Sequence, residues 1–288
     1  MGAFMGKVFD ALTKSSNENA ISTNGPDASI ENQMTLPSEE NDGELDLAKP
    51  LYKQNQADTN LVTLLNPQSF ESEQFKILRT NLLFPVSGKP PRTILVTSAV
   101  PGEGKSFVSA NLAVSIAQNI EEHVLLMDCD IRRPSQHRSF GFDDVPGLSE
   151  YLSRRIPLSS LLLKTQVKKL SLLPAGTPPH NPSELLSSEP MSALVEEVKA
   201  RYPDRYIIID SPPPKFTAET AALARQVDGI VLVVNSGKTP RGLVEELVET
   251  LGKEKILGIV MNRFNFQGSR YYGYGKYGKY AAYGHYVQ

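Results

Sequence analysis

Thr93–Ser106 reads TILVTSAVPGEGKS, and the order of chemistry along it decides the fold. Thr93–Ser98 is a short, apolar, β-branched run, which predicts a strand buried on both faces. The chain then turns through Pro101-Gly102 and passes Gly104-Lys105-Ser106. This is the spacing of a G-x-x-x-x-G-K-[ST] phosphate loop, with Ala99 where the first glycine stands. From Gly104 to Asn119 apolar residues recur at helical spacing, so the loop opens a helix. A helix N-terminus turns unpaired N–H groups and the positive end of its dipole toward an anion. The backbone of Gly102, Glu103, Gly104, Lys105, Ser106 and Phe107 is expected to wrap a nucleotide's phosphates. Lys105 would reach the β/γ-phosphates, and the Ser106 hydroxyl would bind Mg²⁺.

Outward from this loop, apolar runs at Val124–Asp128, Leu170–Leu173, Arg205–Asp210, Gly229–Val234 and Ile256–Met261 predict further strands. Glu189–Tyr202, Thr217–Gln226 and Arg241–Gly252 have helical patterns between them. Continuous apolar strands alternating with amphipathic helices indicate an α/β fold of the P-loop NTPase type, a mostly parallel sheet with helices on both faces. Asn66-Pro67 is read as an N-cap followed by proline at the first helical position, with that helix running to about Phe84. The folded domain is thereby predicted over 66–268. Ligands of such sheets sit at the carboxyl ends of the strands, where Ser98, Asp128 and Asp210 fall.

Two acidic stretches accompany the loop. Arg205–Asp210 reads RYIIID and is followed by Ser211-Pro212-Pro213; a carboxylate ending an apolar strand beside a phosphate loop is a Walker B arrangement. Leu125–Arg132 reads LLMDCDIR, placing Asp128 and Asp130 two residues apart, on one side of an extended chain. With Asp210 they form a cation site that leaves one acid free to accept a proton. We assign Ser106, Asp130 and Asp210 to the metal shell and Asp128 to the base, although the spacing does not decide between Asp128 and Asp130. Arg132 and Arg133 either neutralise phosphate charge or pair with these acids.

The ends differ in character from the centre. Residues 1–60 carry ten acids and four bases, whereas residues 61–288 carry 22 acids and 26 bases. Residues 13–60 are rich in Ser, Asn, Glu, Asp and Gln, so 1–65 is expected to be mostly disordered, apart from a short amphipathic patch at Phe4, Val8, Phe9 and Leu12. The single cysteine, Cys129, makes no internal disulfide, which fits a reducing, cytoplasmic setting. No run of about 18 apolar residues suggests a transmembrane helix. Nor does the N-terminus have a signal-peptide pattern. The four histidines show no metal-ligand spacing.

Residues 271–286 read YYGYGKYGKYAAYGHY. Glycines keep this stretch mobile, so 269–288 is expected to be a flexible tail that presents Tyr271, Tyr272, Tyr274, Tyr277, Tyr280, Tyr283 and Tyr286. A phosphate donor site and a row of phenolic acceptors on one chain lead us to expect a kinase acting on its own tail. Each phosphotyrosine adds about −1.5 to −2 charges, so tails crowded together would repel once modified. The tail carries only three cations, and no nucleic-acid partner is expected.

The loop, DCDIR and IIIDSPP in this order, with PAGTPPHNPSELL at 174–186, VDGIVLVV at 227–234 and the tyrosine-rich end, resemble the bacterial tyrosine kinases of polysaccharide synthesis. The resemblance implies an ATP- and Mg²⁺-dependent autokinase. It also implies a ring of subunits built through a helix motif at which Glu73, Lys76 and Arg79 stand, with Lys76 in place of an arginine. Asn262 falls where related ATPases recognise adenine. Lacking transmembrane helices, the chain resembles the family's detached cytoplasmic form. Such a form implies a membrane polysaccharide co-polymerase or chain-length regulator as activator, peripheral association with the inner membrane face through it, and a cognate tyrosine phosphatase. The alternative is a MinD- or ParA-like ATPase acting as an assembly switch; that group carries an extra lysine early in the loop, where this chain has Val100.

Overall fold

The computed structural model describes residues 52, 54–201, 205–214 and 218–264. The tail tyrosines and the amphipathic patch at Phe4–Leu12 lie outside the described residues. Seven strands form one sheet: β1 (Thr93–Ser98), β2 (His123–Asp128), β3 (Leu163–Lys164), β4 (Leu170–Leu173), β5 (Arg205–Asp210), β6 (Gly229–Asn235) and β7 (Ile256–Asn262). Their order across the sheet is β3-β4-β2-β5-β1-β6-β7. All neighbours are parallel except the short β3, which runs antiparallel to β4. The mostly parallel sheet predicted from the apolar runs is present, and β1, β4 and β5 begin and end at the predicted residues.

Nine helices are described: α1 (Val62–Leu65), α2 (Phe70–Leu83), α3 (Lys105–Ala117), α4 (Gln136–Ser139), α5 (Leu148–Arg154), α6 (Pro182–Leu186), α7 (Glu189–Arg201), α8 (Ala218–Gln226) and α9 (Arg241–Leu251). The two sheet faces bury separate cores. On one face α5, α7, α8 and α9 send Leu148, Met191, Leu194, Leu223 and Leu247 against Ile207 and Ile209. On the other, α2 and α3 pack Phe75, Leu112 and Ile116 against Tyr206 and Ile208. Alternate residues of β5 serve opposite cores, which is why a central parallel strand reads as an unbroken apolar run.

The N-terminal boundary differs from the expectation. The cap of α2 is Ser69, whose Oγ accepts the Ser72 N–H at 3.2 Å, rather than Asn66. Glu71 and Glu73 in the first turn favour this start through the helix dipole. Residues ahead of 66, predicted as part of the disordered segment, pack on the domain from Gln54 onward. Leu61 is buried, Asn55 N–H donates to Gly141 O at 2.6 Å, and Asn111 of α3 accepts the Thr63 N–H at 3.0 Å and donates to Asn60 O at 2.9 Å. This strap is held by buried polar contacts, which an apolar-periodicity reading does not detect. Among the described residues no helix is long and apolar enough to cross a membrane.

Candidate active site

The parallel register sets Asp128, the last residue of β2, beside Asp210, the last residue of β5. β1 lies on the other side of β5 and delivers the glycine loop to the same end of the sheet. Gly102 and Gly104 have φ of 84° and 95°, a region that disfavours any side chain. A Cβ on Gly104 would come within 2.1 Å of Asn262 Nδ2, so two independent reasons demand glycine there. Helix α3 starts at Lys105 and points its N-terminus into the crevice.

Lys105 is buried in that crevice. Its Nζ lies 2.6 Å from Asp130 Oδ2, 3.8 Å from Asp210 Oδ1 and 3.2 Å from Ser106 Oγ. Burial opposes its charge, but Asp210 and Asp130 outweigh it and hold the amine's pKa above the ordinary value. The predicted Lys105, Ser106, Asp130 and Asp210 are therefore brought together. Ser106, Asp130 and Asp210 offer hydroxyl and carboxylate oxygens, the kind of donor that a hard divalent cation takes.

Asp128 is placed differently. It is wholly buried; Oδ2 accepts the N–H groups of Ser135 and Gln136 at 3.0 Å each, and Oδ1 accepts that of Asp130 at 3.2 Å. It thus ties the returning loop 129–136 to β2. Burial, then the charge of Asp210, pushes its pKa up to about 7 against the pull of those N–H groups.

Gln136, the first residue of α4, is a site residue that the sequence reading missed. Fully buried, it donates from Nε2 to Asp210 Oδ2 at 2.8 Å and to Ser106 O at 3.1 Å. Ser109 Oγ reaches the other Asp210 oxygen at 3.3 Å. No local pattern marks Gln136, because its partner is 74 residues away. Arg132, expected at phosphate or at the aspartates, instead donates from Nε to Glu219 Oε1 of α8 at 2.8 Å and from a terminal nitrogen to Ser183 Oγ of α6 at 3.2 Å. The loop after β2 is thereby bound to the helices that follow β4 and β5.

Glu103 is almost fully buried, and its carboxylate is occupied within the protein. It accepts the Val100 N–H at 2.9 Å and the Asn235 N–H at 3.3 Å, together with the Thr239 hydroxyl. The glycine loop is thus braced against the end of β6. Asn262 at the end of β7 donates to Glu103 O at 2.8 Å and accepts the Arg263 N–H. Phe107 turns away from the crevice and meets Phe75 of α2 edge-on, with ring centroids 5.7 Å apart. On α2, Lys76 pairs with Glu73 at 2.6 Å, while Arg79 donates to Ser115 O of α3 at 2.9 Å.

Known proteins resemble this chain in sequence and in fold. The family model described as NUBPL iron-transfer P-loop NTPase, of the ParA kind, matches residues 90–272. The chain is 37% identical over 217 residues to the tyrosine-protein kinase YwqD of Bacillus subtilis, covering 75% of this chain and 90% of that protein. Among solved structures, the kinase domain of the Escherichia coli tyrosine kinase ETK superposes with a TM-score of 0.68 at 30% identity, covering 80% of this chain and 90% of that one. The chimerical protein CapA2B2 does so with a TM-score of 0.65 at 34% identity, covering 73% and 92%. A fold of this kind binds a nucleotide together with a divalent metal. The loop, the paired acids and these relatives lead to one assignment: the chain belongs to the bacterial tyrosine kinases, protein-tyrosine kinases built on a ParA-type P-loop NTPase domain.

Proposed function

We propose that the chain transfers the γ-phosphoryl group of ATP to tyrosines of its own C-terminal segment, Tyr271, Tyr272, Tyr274, Tyr277, Tyr280, Tyr283 and Tyr286, between neighbouring copies in a ring. The observation that carries this reading is the meeting of Lys105, Asp130 and Asp210 in one buried crevice on a chain with seven tyrosines in residues 271–286.

In this reading the N–H groups from Gly102 to Phe107 cradle the phosphates and Lys105 exchanges Asp130 for phosphate oxygens. A Mg²⁺ held by Ser106, Asp130 and Asp210 would neutralise charge on the phosphates. Gln136 fixes the Asp210 carboxylate, and Asn262 borders the nucleoside. Phosphoryl transfer is governed by positioning and charge, and this crevice has both built in. The phenol proton passes to the aspartate pair. Asp128 is the first choice, since a pKa of about 7 suits a base at neutral pH. A second reading is favoured by the backbone N–H groups that occupy both Asp128 oxygens: Asp128 shapes the loop, and Asp130 faces the phenol.

Glu73, Lys76 and Arg79 are the proposed ring contacts. The proposed context is polysaccharide synthesis at the inner face of the cytoplasmic membrane, with a membrane polysaccharide co-polymerase as activator and a tyrosine phosphatase to reset the tail. The test is intact-mass and peptide spectrometry of the purified chain after Mg-ATP, with Lys105→Ala beside it and an activator fragment added in a second series. Successive phosphates within 271–286 that are absent from the variant are expected. Release of free phosphate alone, with and without activator, would sink the reading in favour of a switch ATPase.

A further inference from the structure

The polar crevice has an apolar neighbour. Between α2 and the edge strand β7 lies a cleft of about 680 Å³. Its walls include Phe70 and Ile77 of α2, each 54% exposed, and Met261 and Phe264, 58% and 47% exposed. Phe107, edge-on to Phe75, is also part of its lining. Apolar side chains grouped this openly mark a place where something docks, and the volume is that of a pocket for a few rings.

The course of the chain identifies the occupant. Phe264, the last described residue, is itself part of the cleft wall. Residues 265–288 continue from it with Phe266, seven tyrosines and no acid. An extended chain spans at most about 3.6 Å per residue, so Tyr271 and Tyr272 are held within about 30 Å of this wall by connectivity alone. A tyrosine brings an apolar body and a polar tip, and Gln74 and Asn81 offer amides in the cleft lining. Glu71, also in that lining, complements Arg270, Lys276 and Lys279.

We propose that the α2–β7 cleft holds this chain's own residues 265–288, with unmodified tyrosine rings packed against Ile77 and Phe107. The tyrosines then have two uses: anchors on their own subunit and acceptors for phosphate. The consequence for regulation rests on the autokinase reading above. A phosphate bringing about −1.5 to −2 charges is not retained in an apolar cleft, so each transfer removes one anchor. Phe107 lies on the helix that begins at Lys105, so an occupied cleft also packs against the phosphate-binding helix.

The test uses the full chain without nucleotide, at a concentration where it is monomeric, with Ile77→p-benzoylphenylalanine as photo-cross-linker. The expected product is an intramolecular cross-link to a peptide within 265–288. A second full-length chain with all seven tail tyrosines changed to serine keeps the same tether, and its cross-link yield should fall several-fold. Amide exchange over Phe70–Leu83 should quicken in that chain. Equal yields would reduce the contact to mere tethering and overturn the proposal. So would a cross-link only in a dimer-sized product, which assigns the cleft to a second copy, or no cross-link. No phosphate is transferred in this assay, so failure of the kinase reading leaves its result standing, and the reverse.

Discussion

Two openings flank the start of α3, and they are built on opposite terms. In the crevice Lys105, Asp128, Asp130 and Asp210 are nearly or wholly buried, and each already has a partner inside the protein. In the α2–β7 cleft Phe70, Ile77, Met261 and Phe264 each keep about half of their surface exposed, beside the buried Phe75 and Val108. The first is assembled in advance, so a nucleotide enters by exchanging ion pairs that exist. The second gains its stabilisation only when another surface covers it. β5 and β7 repeat the contrast within the sheet. Both are rich in isoleucine, but β5 is buried at every position, while β7 alternates between half-buried and exposed. Neighbouring strands on both sides and helices on both faces account for the difference.

The most severe way to break the crevice is Lys105→Ala. Phosphate incorporation into the tail should fall by about a hundredfold to a thousandfold, the scale of losing one preorganised charge-stabilising donor, as read by radiolabel transfer. Next is Ile208→Ala in β5. Ile208 has no exposed surface, and the cavity should lower unfolding free energy by roughly 2–5 kcal/mol in urea titrations. Asp128→Asn sharpens the contrast through pH. A carboxyl raised from 3.8 to about 7 in the fold stabilises the folded state below its unfolded value and loses that contribution as pH rises through about 7. The asparagine variant should therefore gain on the wild type between pH 5 and pH 8 by roughly 2–3 kcal/mol, about 1.4 kcal/mol for each pH unit from 5 to about 7, followed by calorimetry. If the difference is flat over that window, Asp128 does not titrate there. The smallest effect belongs to Ile259→Thr on β7. Ile259 is 48% exposed, and stability should stay within about 0.5 kcal/mol of wild type.

What was legible in the sequence follows the same division. β1, the glycine loop and the Asp210 strand were readable because each is written in consecutive residues: an apolar run, a turn, a charged end. Bringing Lys105, Asp130 and Asp210 together required only the rule that parallel strands deliver their carboxyl ends to one edge. Gln136 and Glu219 were not legible, since their partners are 74 and 87 residues away and neither breaks a local pattern. The strap from Gln54 to Leu65 was hidden for a related reason. It is polar in composition, and its order comes from buried contacts with Asn111 and Gly141. Asp128 was recognised as an acid at the site, but its use as a backbone acceptor depends on a loop closure that spacing alone does not encode.

The bond from Asn262 to Glu103 joins residues 159 positions apart. During synthesis the glycine loop therefore emerges long before the strand that clamps it. At about 5–20 residues per second, the interval is roughly 8–30 s. Through that time a nascent chain has its Walker sequence but not the finished loop. The loop reaches its braced form only once Asn262 at the end of β7 has been made. The phosphate loop and the residue that braces it are thus separated in synthesis by most of the described domain.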